Sequence, residues 1–391
     1  MFKNLTAAPA DFLAWNWDDI EPYYRSLAER ELDAGTVQDW LSDWSEIAGR
    51  VSEMYQRLYV ATTVNTEDSA AQQRYEAYLD GIYPKAQEAE QKLKEKLLAS
   101  SLEPANFAIP LRNLRTQAEL FRQENLPLQT EELKLSNEYD RLIGAQTVAW
   151  DGGEITLSQL QPVYQEVERE RRERAWRLAA ERQLAARQAI NELWVKYLDL
   201  RQQMARNAGF KDYRSYRWRQ YQRFDYTPQD CRTFHAAIEQ VGVPAARRVY
   251  ENRRQRLGVE RLRPWDLFVD PGGRPPLRPF GGAGELIEKT AAIFQQVDPQ
   301  LGEYFEVMRR EGLLDLDNRK GKAPGGYCTE YAVVHRPFIF MNAVGIHDDV
   351  QTLLHEGGHS FHVFETAGLP YLQQRDVPME FAEVASMAME L

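Results

Sequence analysis

The sequence predicts a mainly helical fold in which a small β-sheet lies beside a histidine-containing helix. Residues 1–140 and 161–209 carry large apolar side chains at the spacing of amphipathic helices. β-Branched and aromatic residues concentrate in the short segments 327–334 and 337–342, which predict strands. Directly after them, residues 348–362 (DDVQTLLHEGGHSFH) return to a helical pattern with acidic residues at its start.

A chain of 391 residues exceeds the usual size of one hydrophobic core, so we expect two domains. The first is an N-terminal helical lobe over residues 1–200, and the second covers residues 201–391. Within the first lobe, two short alternating runs flank Asp151-Gly152-Gly153 and predict a hairpin near 147–157. The histidine-containing helix therefore belongs to the second domain.

Polar residues mark where the helices of the N-terminal lobe begin. Thr36 precedes an amphipathic run over 37–65 and is the expected N-cap of a long helix. Asp68 is placed to begin the next helix, which the pattern extends over 70–101.

Helix resumes after the predicted hairpin. Residues 161–209 form one long helix or two, with Gly209 near the end. The Tyr- and Arg-rich stretch 210–226 predicts a helix whose aromatic rings pack inward. An irregular connection rich in Pro and Gly over 259–280 precedes a further helix at 283–312.

Composition and charge restrict the classes of partner. The 59 acidic and 48 basic side chains give a net charge of −11, which argues against nucleic acid and anionic membranes as main partners. The alternating Glu and Arg at 166–177 are expected on a solvated helix face with i,i+4 pairs. The chain has no run of about 18 apolar residues that would predict a membrane span. The N-terminus has no recognisable signal peptide, so a cytoplasmic location is expected. Cys231 and Cys328 lie too far apart in sequence to predict a disulfide framework.

The chemistry is concentrated in the motif His355-Glu356-x-x-His359. Histidines four residues apart share one helix face and can bind one Zn²⁺. Glu356 lies between them, where its carboxylate can take a proton from a metal-bound water. A catalytic zinc normally has three protein ligands, so one ligand remains to be found.

His362 is one candidate for the third ligand, but helix geometry disfavours it. It lies about 10 Å further along the helix axis than His355, and helical side chains lean toward the N-terminus. We therefore expect His362 to pack behind the ligands and support them.

The other candidates are carboxylates of the helix expected after Pro378. Glu383 and Glu390 are seven residues apart and share a face, whereas Glu380 is offset by about 60°. Spacing alone does not choose between Glu380 and Glu383, although a ligand with a supporting carboxylate favours the pair of Glu383 and Glu390.

With these motifs, the sequence resembles the thimet oligopeptidase and oligoendopeptidase F family of zinc peptidases. The resemblance rests on His355-Glu356-x-x-His359-x-x-His362, on EFAEVASMAMEL (380–391) and on LDLDNRKGKAPGGYC (314–328). It covers the chain from about residue 200 to the end and implies a two-lobed, zincin-like metallopeptidase. A deep channel in that fold admits short peptides and excludes folded proteins.

The resemblance also implies roles for individual residues. His355, His359 and Glu383 map onto the ligands of one zinc ion per chain, which resolves the choice between Glu380 and Glu383. Glu356 maps onto the general base, and Glu390 onto a glutamate that supports the ligands.

The sequence departs from the family pattern at its C-terminal end. Family members continue beyond the helix that here ends at Leu391, and the later segment supplies His and Tyr residues that bind substrate. We therefore expect the C-terminal part of the catalytic domain to be missing. A chain without those residues is expected to bind zinc and to turn over slowly, if at all.

The sequence thus predicts a zinc-dependent endopeptidase that hydrolyses short oligopeptides. Four residues of the predicted strands are expected near the substrate: Tyr327, Tyr331, Phe340 and Asn342. Two alternatives stay open at this point. One is a helical scaffold that binds zinc or peptide without turnover, and the other is a metallocarboxypeptidase, which also uses His-Glu-x-x-His.

Overall fold

The computed structural model describes residues 2, 5 and 8–391, and its fold is mainly helical, as predicted. The helices are α1 Pro9–Phe12, α2 Trp17–Glu29, α3 Val37–Val64, α4 Ser69–Gly81, α5 Tyr83–Ala99, α6 Ala108–Leu120, α7 Leu126–Gly144, α8 Arg169–Ala185, α9 Arg187–Asn207, α10 Tyr213–Gln220, α11 Pro228–Ala237, α12 Val243–Leu257, α13 Ala283–Val297, α14 Pro299–Arg310, α15 His347–Thr366 and α16 Met379–Ala388. Within the described residues, no helix combines the length and the apolar character needed to cross a membrane.

The strands form two small sheets. Their bounds are β1 Thr147–Trp150, β2 Gly153–Thr156, β3 Leu314–Asp317, β4 Tyr327–Tyr331 and β5 Arg336–Ala343. β1 and β2 pair as an antiparallel hairpin around the turn that the sequence indicated. In the second sheet β5 is central, with β3 parallel on one side and β4 antiparallel on the other. β3 was not predicted from the sequence, since it is short and carries two aspartates.

Two long helices of the sequence analysis are each divided into two. The predicted helix over 70–101 is broken at Ile82, and Pro84 lies in the first turn of α5, where its missing N–H is tolerated. The predicted helix over 283–312 is broken at Asp298, whose side chain accepts a hydrogen bond from the Gln300 amide and caps α14. Apolar spacing alone did not reveal these breaks because it continues across them.

The N-terminal lobe is built around the long helix α3. Trp40 and Trp44 are both fully buried and pack edge to face, with ring centroids 5.1 Å apart. The indole nitrogen of Trp40 donates to the Leu27 carbonyl and that of Trp44 to Glu90, so neither ring buries an unpaired N–H. α3 begins after Thr36 as predicted, but the Thr36 side chain makes no capping hydrogen bond.

A second core lies under the three-stranded sheet and holds α15. Phe294, Phe305 and Leu353 are almost completely buried there, together with Ile339 of β5. Backbone hydrogen bonds connect this region to the end of α3, from the Thr66 amide to the Gly321 carbonyl and from the Ala323 amide to the Thr63 carbonyl. The division into domains at residue 200 stays a prediction.

The block of Glu and Arg at 166–177 is only in part the solvated helix face that was expected. Arg172 is only 2% exposed, and its guanidinium contacts Asp266, which is fully buried, at 3.1 Å. Arg169 binds the same carboxylate through two hydrogen bonds of 2.9 Å. The expected solvated face holds for pairs such as Arg177 with Glu173, but part of the block holds the irregular segment around Asp266 against α8.

Candidate metal centre

The histidine helix begins close to the end of strand β5, and Asp349 fixes its start. One carboxylate oxygen of Asp349 accepts hydrogen bonds of 2.9 Å from the amides of Val344, Gly345 and Ile346. An acidic group at this end also complements the helix dipole. The position of α15 relative to the sheet is therefore set by a buried cap.

His355 and His359 lie on one face of α15, as the spacing predicts. Their rings meet edge to face with centroids 5.0 Å apart, and both side chains are partly exposed. Loss of solvation lowers the pKa of His359, which favours the neutral imidazole that a metal requires.

Glu383 of α16 lies opposite the two histidines. Its Oε2 is 3.2 Å from Nε2 of His355 and 3.8 Å from Nε2 of His359. Each of the three residues offers one ligand atom, and these atoms all lie within 4.8 Å of one another. Two imidazoles and one carboxylate form a donor set that suits zinc and leaves a position open. The residues present therefore fit a catalytic zinc ion.

Glu356 is buried next to this cluster and is only 7% exposed. Its Oε2 has no hydrogen-bond partner among the described residues. Burial raises the pKa of Glu356 to about 7, with a further rise from the Glu383 charge and an opposing effect of His355. A buried carboxylate oxygen without a partner is costly, so a ligand or water that bonds to Oε2 would be stabilised there.

The glycine pair of the motif explains how α16 comes so close. A Cβ on Gly358 would lie 2.6 Å from the Cα of Ser386 in α16, which no side chain tolerates. A Cβ on Gly357 would lie 2.6 Å from the Phe294 ring in the core. The two glycines therefore admit the partner helix on one side and a core aromatic ring on the other.

Of the two residues expected to support the ligands, Glu390 contacts His355 directly, whereas His362 contacts the linker that leads to α16. Oε1 of Glu390 is 2.8 Å from Nδ1 of His355, the ring nitrogen that faces away from Glu383. His362 is not part of the group of potential ligands found among the described residues. Its Nε2 lies 3.5 Å from the Arg375 carbonyl, on the linker to α16.

Glu380 is engaged elsewhere, by partners that the sequence analysis missed. Its carboxylate accepts hydrogen bonds from the guanidinium of Arg223 and from the hydroxyl of Tyr226. Both partners lie more than 150 residues earlier in the chain, so no local pattern could reveal them. These bonds connect the first turn of α16 to the segment after α10.

The four residues expected near the substrate have structural contacts of their own. Tyr327 stacks on Phe340 and its hydroxyl lies 2.6 Å from that of Thr63. Phe340 is fully buried and Tyr331 is 4% exposed. Asn342 donates to the carbonyls of Ala323 and Gly325. Tyr327 and Tyr331 are on the edge strand β4, whereas Phe340 and Asn342 are on the central strand β5. Contact of these four residues with a peptide stays a prediction.

Comparison with protein families finds two matches. Residues 163–275 and 293–391, more than half of the chain, match Peptidase family M3. Residues 10–106 match the Peptidase M3 N-terminal domain. The glycine-rich and histidine-containing segments at 314–328 and 348–362 both lie inside the first match.

Individual relatives point to the same group. The Oligoendopeptidase F homolog of Lactococcus lactis is 27% identical over 150 residues, which are 38% of this chain and 24% of that protein. The solved structure of PZ peptidase A with inhibitor 2 has a TM-score of 0.90 and 26% identity, over 97% of this chain and 69% of that one. A putative oligoendopeptidase F from Bacillus anthracis has a TM-score of 0.91 at 24% identity, over 96% of this chain and 70% of that one. The matching segment thus spans about a quarter of the length of the curated relative.

Proposed function

Because the chain belongs to Peptidase family M3, we propose that it is a zinc-dependent endopeptidase acting on oligopeptides. One observation carries the proposal. Ligand atoms of His355, His359 and Glu383 converge within 4.8 Å, and the buried carboxylate of Glu356, whose Oε2 has no partner among the described residues, lies next to them. Metal ligands beside a general base are the parts that hydrolysis of an amide requires.

His355, His359 and Glu383 would hold the metal. Zinc at this position would lower the pKa of a bound water and polarise the carbonyl of the scissile bond. Glu390 holds the ring of His355 so that Nε2 faces the site. The Glu383 carboxylate supplies negative charge beside the two neutral imidazoles.

Glu356 carries the proton in this mechanism. Its Oε2 accepts a proton from the attacking water and returns it to the leaving amine. A pKa raised to about 7 suits a group that must be a base in one step and an acid in the next. The low exposure of the side chain keeps bulk water from competing for the same oxygen.

An extended peptide needs an exposed strand edge for its backbone hydrogen bonds. β4 is the edge strand of its sheet and packs against α15, so its free side is the expected position of the substrate. Pairing with a strand edge selects main-chain geometry and not a chain terminus, which favours internal cleavage.

Hydrolysis of an internally quenched fluorescent peptide with a blocked C-terminus tests the proposal. Glu356→Gln removes the base and should lower turnover by about 10²-fold or more. The matched control is Asp348→Asn, an exposed change on the same helix, which should leave turnover unaltered. Zinc content should be equal in the wild type and in both variants.

Three outcomes would count against the proposal. Cleavage that survives Glu356→Gln, or that survives a chelator, would show that this site does not catalyse the reaction. Binding of zinc without cleavage of any peptide, by this chain and also by a chain extended with the C-terminal segment of a relative, would favour the scaffold alternative. A requirement for a free C-terminus would favour a carboxypeptidase. The cytoplasmic location stays a prediction.

A further inference from the structure

A cavity of about 470 Å³ lies apart from the metal ligands, between the N-terminal lobe and the start of α16. Its walls come from α5, α6, α7 and α10 and from residues 376–379, which lead into α16. None of His355, His359, Glu383 or Glu356 lines it. It is therefore separate from the candidate metal centre, and the proposed hydrolysis gives it no role.

The lining contains two charged side chains of opposite sign, Lys94 and Asp376. Among the described residues, Lys94 has no hydrogen bond and no ion pair. Glu90, four residues earlier, is occupied by hydrogen bonds from Tyr24 and Trp44. Asp376 accepts a hydrogen bond from Gln222 at 3.3 Å and has no cationic partner in the described part of the chain. Each charge is thus left without an opposite charge in contact.

Loss of solvation acts on both groups in the direction that this isolation predicts. It lowers the pKa of Lys94, against a smaller opposing effect of Glu90. It raises the pKa of Asp376, although the bond from Gln222 lowers it in part. Asp376 is itself exposed, so the cost of an unpaired charge falls mainly on Lys94, where a ligand carboxylate would relieve it. At Asp376 a ligand ammonium group would add a charge-assisted hydrogen bond.

The rest of the lining is rich in carboxamides. Six glutamine side chains contribute: Gln87, Gln91, Gln117, Gln129, Gln220 and Gln222. The amides of Gln87 and Gln117 have no side-chain hydrogen-bond partner among the described residues. A carboxamide offers both donors and an acceptor, and that combination matches the N–H and C=O groups of a peptide backbone.

We propose that this cavity binds a short zwitterionic peptide, with its carboxylate at Lys94 and its ammonium group at Asp376. The glutamines then pair with the peptide groups between the two ends. The proposal concerns binding alone and does not require the chain to be a peptidase. An inorganic anion would satisfy Lys94 but would leave Asp376 and the unpaired amides without partners.

Occupancy would also act on α16. Val377 and Met379 line the cavity, and α16 begins at Met379, four residues before Glu383. A bound peptide would join the N-terminal lobe to the helix that carries this candidate ligand. We therefore expect the peptide to raise the melting temperature of the protein by mass action.

Calorimetric titration with triglycine, N-acetyl-triglycine and triglycinamide tests the proposal on the intact chain. Triglycine should bind, and each blocked form should bind at least about tenfold more weakly, because each loses one charge-assisted hydrogen bond. Lys94→Met should weaken triglycine binding by a similar factor, while Lys92→Met, an exposed change on the same helix, should not. His355→Ala should leave binding intact, which separates this cavity from the metal centre.

Asp376→Asn provides a second variant in case Lys94→Met does not fold. It should weaken triglycine but not N-acetyl-triglycine, since only the first has an ammonium group. Equal binding of triglycine and triglycinamide would overturn the proposal, as would binding that Lys94→Met and Asp376→Asn leave unchanged. Absence of binding at millimolar triglycine, or binding of inorganic phosphate as tight as that of triglycine, would also overturn it.

Discussion

At the scale of single residues, the orientation of His355 decides whether the candidate centre can hold a metal. Nδ1 lies 2.8 Å from Glu390 and Nε2 lies 3.2 Å from Glu383, so opposite ring nitrogens have different partners. A proton on Nδ1, held by Glu390, leaves the lone pair of Nε2 free for a metal.

Glu390→Ala should therefore weaken zinc binding by about 10–100-fold, the usual effect of losing such a supporting group. Competition with a chromophoric chelator measures the change. Glu390→Gln is the matched control and should recover most of the affinity, because its amide oxygen can accept the same hydrogen bond. Equal zinc affinity in the alanine variant and the wild type would show that Glu390 does not orient the ring.

Asp140 of α7 gives a prediction about pH and stability. Burial raises its pKa to about 6, and it lies near the hydroxyls of Tyr59, Tyr197 and Tyr327. Since the pKa of Asp140 is higher in the folded chain than in the unfolded chain, the folded chain binds more protons at pH values between these two pKa values. Stability should therefore fall as pH rises through that window, and the penalty is complete above it.

Asp140→Asn removes this penalty and should raise the free energy of unfolding by about 1–2 kcal/mol at about pH 7.5, with allowance for partial exposure. The gain should largely vanish near pH 4, where the native aspartate is protonated. Urea unfolding at both pH values measures it, with the exposed Glu138→Gln as control. A gain of equal size at both values would contradict the argument.

At the scale of elements, the packing of α16 on α15 assembles the centre. Gly358 allows this contact, because a Cβ there would meet the Cα of Ser386 at 2.6 Å. Gly357 instead faces the ring of Phe294. Gly358 therefore affects how closely α15 and α16 pack, whereas Gly357 affects how the core is filled.

Gly358→Ala should displace α16, lower zinc affinity by about tenfold or more, and cost about 1–3 kcal/mol of stability. Gly357→Ala should cost similar stability but retain most of the zinc affinity, because the added Cβ would clash with a ring in the core and not with α16. Gly284→Ala in α13, where a Cβ would meet nothing within 4 Å, should be neutral or stabilising. Equal zinc affinity in the two motif variants would contradict this separation.

The helices show which features of the fold a single sequence reveals. Apolar spacing and polar caps located α3, α15 and the start of α4, where Asp68 accepts from two backbone amides. Breaks at Ile82 and Asp298 went unnoticed because the apolar pattern continues through them. β3 was missed because it has only four residues and two of them are aspartates, which are disfavoured in strands.

At the scale of the whole molecule, the site combines local and distant contacts, and only the local ones can be read from sequence. His355 and His359 share a face because of helix geometry alone. Spacing left Glu380 and Glu383 as equal candidates, and the family resemblance favoured Glu383. The structure adds that Glu380 is held by Arg223 and Tyr226, across more than 150 residues of chain.

The central claim is that Glu383, and not Glu380, completes the metal centre with His355 and His359. The most direct measurement is the zinc content of each purified protein, by elemental analysis after equilibration with zinc and removal of the excess. The wild type and Glu380→Gln should each hold one zinc ion per chain, whereas Glu383→Gln should lose most of it. Full zinc content in Glu383→Gln, or its loss in Glu380→Gln alone, would contradict the claim.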